Sequence, residues 1–328
     1  MKALTSETLA SVNELIAIVK HERIAVVKTL RIGGYGPGIV TIGVGRELTR
    51  VASPSFLAAH PTLPVVYAVG ELERGWLTAF DARDGLQPLD ERPSEGSLPC
   101  HVAVDPTGSL LAVANYGDGT AIICRLDSRG AFDGDPIVLR HKGSGPNAER
   151  QEGPHAHEAV FHDGLLHISD LGTDEIRRYR YDGTPVEPIV LYPGTGPRHF
   201  AFAGSRLYVA GELDGTVTLI DGEWRTVAPA TRHEGESHPS HLQLEGDLVY
   251  VGNRGPNTVS VLRRADLSLV AEVPSGGDWP RHFTIDGDRM YVANQRSNTV
   301  TVFTLRDGVP EPTGEAYDVE SPACVLIT

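Results

Sequence analysis

A phrase recurs along this chain about every 42 residues. A proline opens it, a short apolar strand follows, a turn intervenes, and a second strand ends in a polar pair. The opening prolines are Pro54, Pro99, Pro154, Pro197, Pro239, Pro280 and Pro322, separated by 45, 55, 43, 42, 41 and 42 residues. A period of roughly 40–45 residues built from strands predicts propeller blades. Such an architecture turns each column of the repeat into a ring of side chains about one central channel.

Six blades begin at successive prolines from Pro54 to Pro280, and each predicts four antiparallel strands. A seventh is split. The C-terminal segment 321–327 supplies one inner strand, and the partners are expected near the start, in residues 24–32, 39–44 and 47–53. Pairing across the termini closes the ring and removes exposed sheet edges. The expectation is an all-β, seven-bladed β-propeller over residues 24–328. Residues 1–23 differ: Leu4, Leu9, Val12, Leu15, Ile16 and Val19 follow helical spacing, which suits a short amphipathic helix or an extension outside the fold.

Composition narrows the function classes. The net charge is −14, with no basic tract, which argues against nucleic acid or an anionic membrane as partner. No apolar run reaches the roughly 20 residues that span a bilayer. The three cysteines, Cys100, Cys124 and Cys324, are scattered and odd in number, which fits a reducing compartment better than a disulfide framework. With no signal-peptide core at the start, a cytoplasmic protein is expected, as a monomer or weak dimer.

Aligned from the prolines, the first column reads Ser55, Cys100, His155, Arg198, Ser240, Arg281 and Ala323. The next reads Phe56, His101, Ala156, His199, His241, His282 and Cys324, with His157 replacing Ala156 if blade 3 carries one extra residue. The end of the second strand gives Tyr35, Glu71, Tyr116, Leu171, Glu212, Arg254 and Gln295. The recurring histidines suit a structural role, donating hydrogen bonds between blades. Residues that break their column have no architectural reason to be there and point to a site at the channel mouth. Arg198, Arg254 and Arg281 on adjacent blades make a positive pocket suited to a carboxylate or phosphate. Glu212 lies among them, and His155 or His157 is the group that titrates near neutral pH.

No nucleophile elbow, zinc-type cysteine spacing or phosphate loop is present. The His155-Ala156-His157 pair lacks further ligands by spacing, so no metal is expected.

The stretch 141–157, with Arg150-Gln151 and His155-Ala156-His157, resembles the hallmark insertion of the lactonase family of seven-bladed propellers. This is the 6-phosphogluconolactonase-like family, which includes the fungal carboxy-muconate lactonizing enzyme. The phrases at 54–61, 65–75, 196–202, 208–217, 250–261 and 279–286 support it. The resemblance implies hydrolysis or formation of a lactone without a metal or organic cofactor, and hydrolysis of an anionic, phosphorylated or carboxylated sugar-type lactone at the channel mouth is the expected activity. It carries catalytic roles to His155 or His157, Arg198, Glu212 and Arg254. Arg281, Gln295, Tyr116 and Glu71 would shape the pocket, under a lid from which Arg150 and Gln151 reach inward. Gly211 stands where the family often has Asn, which is expected to widen the mouth. Lactonization of a muconate-type dicarboxylate, or a non-catalytic propeller that binds a partner or metabolite, are the alternatives. Replacing Arg198 or Glu212 by Ala is expected to remove most of the activity with little change in Tm.

Overall fold

The computed structural model describes residues 28–328. The helix expected within residues 1–23 therefore lies outside the described residues, as do residues 24–27 of the first expected strand. Seven four-stranded antiparallel sheets follow one another around a ring, and no helix occurs among the described residues. The split blade closes as expected: Pro322–Ile327 pairs with Leu30–Gly34, followed outward by Gly38–Ile42 and Arg46–Arg50.

The second strand of each blade reads as an apolar run because both of its faces are covered. Val65–Gly70 is buried at all six positions, and Leu248–Arg254 at six of seven. A tyrosine at the same place in the second strand recurs in blades 1, 4, 5 and 6, and in the first three it bridges to the next blade. There its ring fills the gap between blades, and its hydroxyl donates to a carbonyl of the next blade. The pairs are Tyr67 to Gly130 at 2.7 Å, Tyr208 to Arg264 at 2.9 Å and Tyr250 to Gly308 at 2.7 Å. Each such bond is worth about 1 kcal/mol net, while the buried ring contributes more through its area.

The inner strands carry a β-bulge at the channel mouth. Pairing slips just after Pro99, Ala156, Pro197, Pro239 and Pro280. A bulge inserts one unpaired residue and re-aims its side chain. Strand partners also fix the columns independently of the prolines. Pro99 faces Asn115, Pro197 faces Gly211, Pro239 faces Asn253 and Pro280 faces Asn294. In blade 3 the residue facing Asp170, the counterpart of Asn115, is Ala156 and not Pro154. Blade 3 is therefore offset by two residues from the proline alignment. Its mouth position is His157 where the alignment has His155, and the next position is Glu158, neither Ala156 nor His157.

Candidate active site

Seven inner strands thus deliver Ser55, Cys100, His157, Arg198, Ser240, Arg281 and Ala323 to one mouth. Four of these are small, and the long side chains come from blades 3, 4 and 6. The second strands add Glu212 and Arg254 to the same place. Glu212 is the hub. Its Oε2 is 3.1 Å from Arg198 Nε and accepts from an Arg254 guanidinium nitrogen at 2.6 Å, and its Oε1 accepts from Arg150 at 2.7 Å. The Arg198 contact is an ion pair without hydrogen-bond geometry, and its other end donates to the Ser240 carbonyl of the next blade. Arg254 also donates to the His238 carbonyl at 3.1 Å and lies over the Trp279 ring.

These groups are almost completely buried: Arg198 is 2 % exposed, Glu212 4 % and Arg254 5 %. Burial alone would raise the Glu212 pKa, but Arg254, Arg198, His157 and Arg150 together hold it well below the usual carboxylate range. Glu212 is ionised at any working pH. Its removal would leave two buried guanidinium groups without their counter-charge, a change that typically costs about 3–5 kcal/mol. This revises the expectation of an unchanged Tm for the alanine variant.

On the other side of the mouth, Arg281 lies over the Tyr35 ring, and the Tyr35 hydroxyl donates to Glu71 at 2.8 Å. A small cavity opens there, lined by Ser55, Glu71, Cys100, Arg198 and Arg281 among others. Four arginines, Arg150, Arg198, Arg254 and Arg281, face two carboxylates, Glu212 and Glu71. The mouth carries a cationic surplus inside a chain of net charge −14.

The two candidate histidines differ. His155 stacks on Tyr116 at 4.6 Å and bonds the Tyr116 carbonyl through Nδ1 at 2.8 Å, while Nε2 lies 3.2 Å from the Glu152 carboxylate. Both of its nitrogens are engaged. His157 is 5 % exposed, sits edge-on to Tyr116 and His199, and its Nδ1 is buried without a partner among the described residues. Burial, reinforced by Arg198, holds the His157 pKa well below the usual imidazole value. It is neutral near pH 7.

The segment 141–155 is pinned over this mouth. His141 Nδ1 meets Asp170 at 2.7 Å, and Arg177 donates to the Lys142 carbonyl at 2.6 Å. Arg150 reaches inward to Glu212 and to the Tyr116 hydroxyl, the latter at 3.2 Å. Gln151 does not: its amide binds the Leu171 carbonyl at 2.9 Å and the Asn147 amide at 3.1 Å, which ties the loop to itself and to blade 3. Gln295 leaves a buried amide oxygen unpaired. The space at Gly211 is taken by Asp214, whose carboxylate would lie 2.2 Å from an added Cβ. The equivalent Asn115 amide is taken up by the Ser94 carbonyl, at the end of blade 1, and by the Thr120 hydroxyl of its own blade. Loss of an asparagine at Gly211 therefore does not widen the mouth.

Beneath the mouth lies the histidine column. His101 Nδ1 accepts the Ala159 N–H and His282 Nδ1 accepts the Val325 N–H, each from the following blade. These two imidazoles tie their blades as acceptors. His199 and His241 bond each other at 2.7 Å. Glu158 completes this layer. The proline spacing concealed it, whereas alignment on the polar strand end at Asp170 would have found it.

The geometry can be set beside known proteins. Residues 41–327 match the family described as Lactonase, 7-bladed beta-propeller. The 6-phosphogluconolactonase of Bacillus subtilis is 28 % identical over 70 % of this chain and 73 % of its own length. That of Formosa agariphila is 30 % identical over 71 % and 75 %. The periplasmic gluconolactonase of Pseudomonas aeruginosa superposes with a TM-score of 0.82 at 22 % identity, covering 92 % of this chain and 99 % of its own. A Lactobacillus plantarum protein superposes equally well at 25 % identity. No helix among the described residues is long and apolar enough to cross a membrane. Through its matched sequence and its seven closed blades, this chain belongs to the lactonase family of seven-bladed β-propellers.

Proposed function

We propose that the chain hydrolyses a small anionic sugar lactone, of the 6-phosphogluconolactone kind, at the channel mouth. The observation that carries this reading is the arginine cluster gathered on one carboxylate, with Arg281 beside it. A surplus of guanidinium charge at the mouth suits a substrate with a phosphate or carboxylate group.

The His157 imidazole, neutral near pH 7, takes a proton from water as the water oxygen attacks the lactone carbonyl. Guanidinium groups of Arg198 and Arg254, held rigid by Glu212, stabilise the negative charge that develops on the carbonyl oxygen. The ester C–O bond then breaks, and the imidazolium returns its proton to the departing ring oxygen, giving a hydroxy acid. Glu212, ionised and shared among arginines, has no proton to give; its role is to aim them. Arg150 and Arg281 bind the anionic group remote from the reacting carbon, and Tyr116, Glu71 and Gln295 shape the sugar pocket.

The test is steady-state hydrolysis of 6-phosphogluconolactone, gluconolactone and a muconate-type lactone. The phosphorylated lactone should have the highest kcat/KM, by about a hundredfold over its neutral counterpart. Preference for the neutral lactone, or turnover of the muconate lactone alone, would reject the reading.

A further inference from the structure

Glu158 occupies a column that holds imidazoles in four other blades. It does the same local job: its Oε2 accepts the Phe200 N–H of the next blade at 2.5 Å, as His101 and His282 accept theirs. The tie between blades thus needs no carboxyl group. What Glu158 adds is a buried acid, 6 % exposed, whose Oε1 lies 3.6 Å from both His101 Nε2 and His199 Nδ1.

Two connections lead from it to the mouth. His199 stands edge-on to the His157 ring at 5.4 Å, and is itself held by His241. The backbone provides the other. The Glu158 N–H donates to Ser169 Oγ at 2.9 Å, and Ser169 donates in turn to the Arg198 carbonyl at 2.6 Å. The bulges that carry His157 and Arg198 are therefore joined on both sides of Glu158.

We propose that Glu158 is a positioning residue of the lactonase site, acting on His157 through His199 and on Arg198 through the joined bulges. The inference rests on the mouth being that site. The groups that face Glu158 are His101 from blade 2 and Arg198 and His199 from blade 4, with His157 on its own strand and His241 behind His199. Burial pushes the Glu158 carboxyl up to about 8, against the lowering effects of the Phe200 N–H and Arg198. Below that pH it is neutral and the imidazoles around it stay uncharged. Above it, a carboxylate draws the His199 proton toward itself and disturbs the ring beside His157. The kcat profile should accordingly fall on an alkaline limb near this value.

Kinetics of Glu158→Ala and Glu158→Gln test this. The glutamine keeps an acceptor for Phe200 but cannot ionise, so it should retain kcat within about threefold at pH 7 and lose the alkaline limb. The alanine should lose about tenfold or more in kcat with KM nearly unchanged. A purely structural residue would lower Tm while leaving the kcat and pH profile of the folded enzyme alone, and that result overturns the proposal. Should the alanine variant fail to fold, the glutamine profile decides by itself. If the wild type hydrolyses no lactone, the site reading fails separately, and imidazole ¹⁵N shifts of His157 and His199 become the readout. Shifts identical in wild type and Glu158→Gln across pH 6–9 would then overturn the positioning role.

Discussion

The two layers of the central channel are built by the same seven strands, one residue apart, yet they behave differently. The mouth layer varies from blade to blade: small residues on blades 1, 2, 5 and 7, and long polar ones on blades 3, 4 and 6. The layer beneath repeats more strongly, with histidines at four of its seven positions and Phe56, Glu158 and Cys324 at the others. A column that repeats reflects the demands of closure. A column that breaks reflects the demands of a ligand, because no symmetric architecture asks for Arg198 at one blade and Ser240 at the next. Glu158 sharpens the contrast, as the position of the repeating layer that carries a carboxyl group, placed below the most charged sector of the mouth.

The largest expected effect separates the two histidines of the blade 3 insertion. His157→Asn should lower kcat by about 10²–10⁴, the usual worth of a general base. His155→Asn, which alters a residue stacked on Tyr116 with both nitrogens engaged, should change kcat by only about threefold. Equal losses, or the reverse order, would break the assignment of the mouth position by strand pairing.

The next effect belongs to the repeating layer. Burial pushes the pKa of His101 and His282 down to about 3, and holds His199 and His241 well below the usual imidazole value. Each is neutral when folded and binds a proton near pH 6.5 when unfolded, so the unfolded state takes up more protons as pH falls. Stability from these groups is present above pH 6.5 and is lost below it. Each imidazole could cost up to about 2 kcal/mol between pH 6.5 and 5. Glu158 has the opposite sign: its raised pKa loses stability between its unfolded value near 4.5 and about 8. Tm should therefore drop steeply below pH 6.5 and decline gently toward pH 8. His241→Phe should lessen the acid slope. A flat Tm from pH 7 to 5 would contradict the neutral, buried description of this layer.

A smaller effect tests the lid. Arg150 is partly exposed and meets Glu212 from above, so Arg150→Ala should raise KM about tenfold while kcat changes little. A fall in kcat alone would mean that the lid acts on the chemistry and not on binding.

Much of this was legible before any coordinates. The proline period located six inner strands, and the unpaired strand at 321–327 foretold closure with the N-terminal strands. The polar ends of the second strands identified Glu212 and Arg254 because each departs from its column. What misled was the assumption that one landmark marks every blade. Blade 3 has its proline two residues early, since the lid's return requires extra chain, and the column was read as His155 where the mouth holds His157. Side-chain direction was also hidden. Sequence alone could not tell that Gln151 turns back into its own loop, that Asp214 fills the space at Gly211, or that His101 and His282 accept hydrogen bonds from the next blade instead of donating them. The depth of burial around Glu212, which links activity to stability at that residue, required packing and not pattern.

The most direct test of the central claim is the kcat/KM of Glu212→Gln for 6-phosphogluconolactone. The substitution keeps the volume and hydrogen-bonding capacity of the hub but removes the charge that aims Arg150, Arg198 and Arg254. Folded variant protein should lose about a thousandfold in kcat/KM, the order expected when preorganised donors to a developing oxyanion are misaligned. Wild-type efficiency in that variant would contradict the placement of the reaction at this mouth.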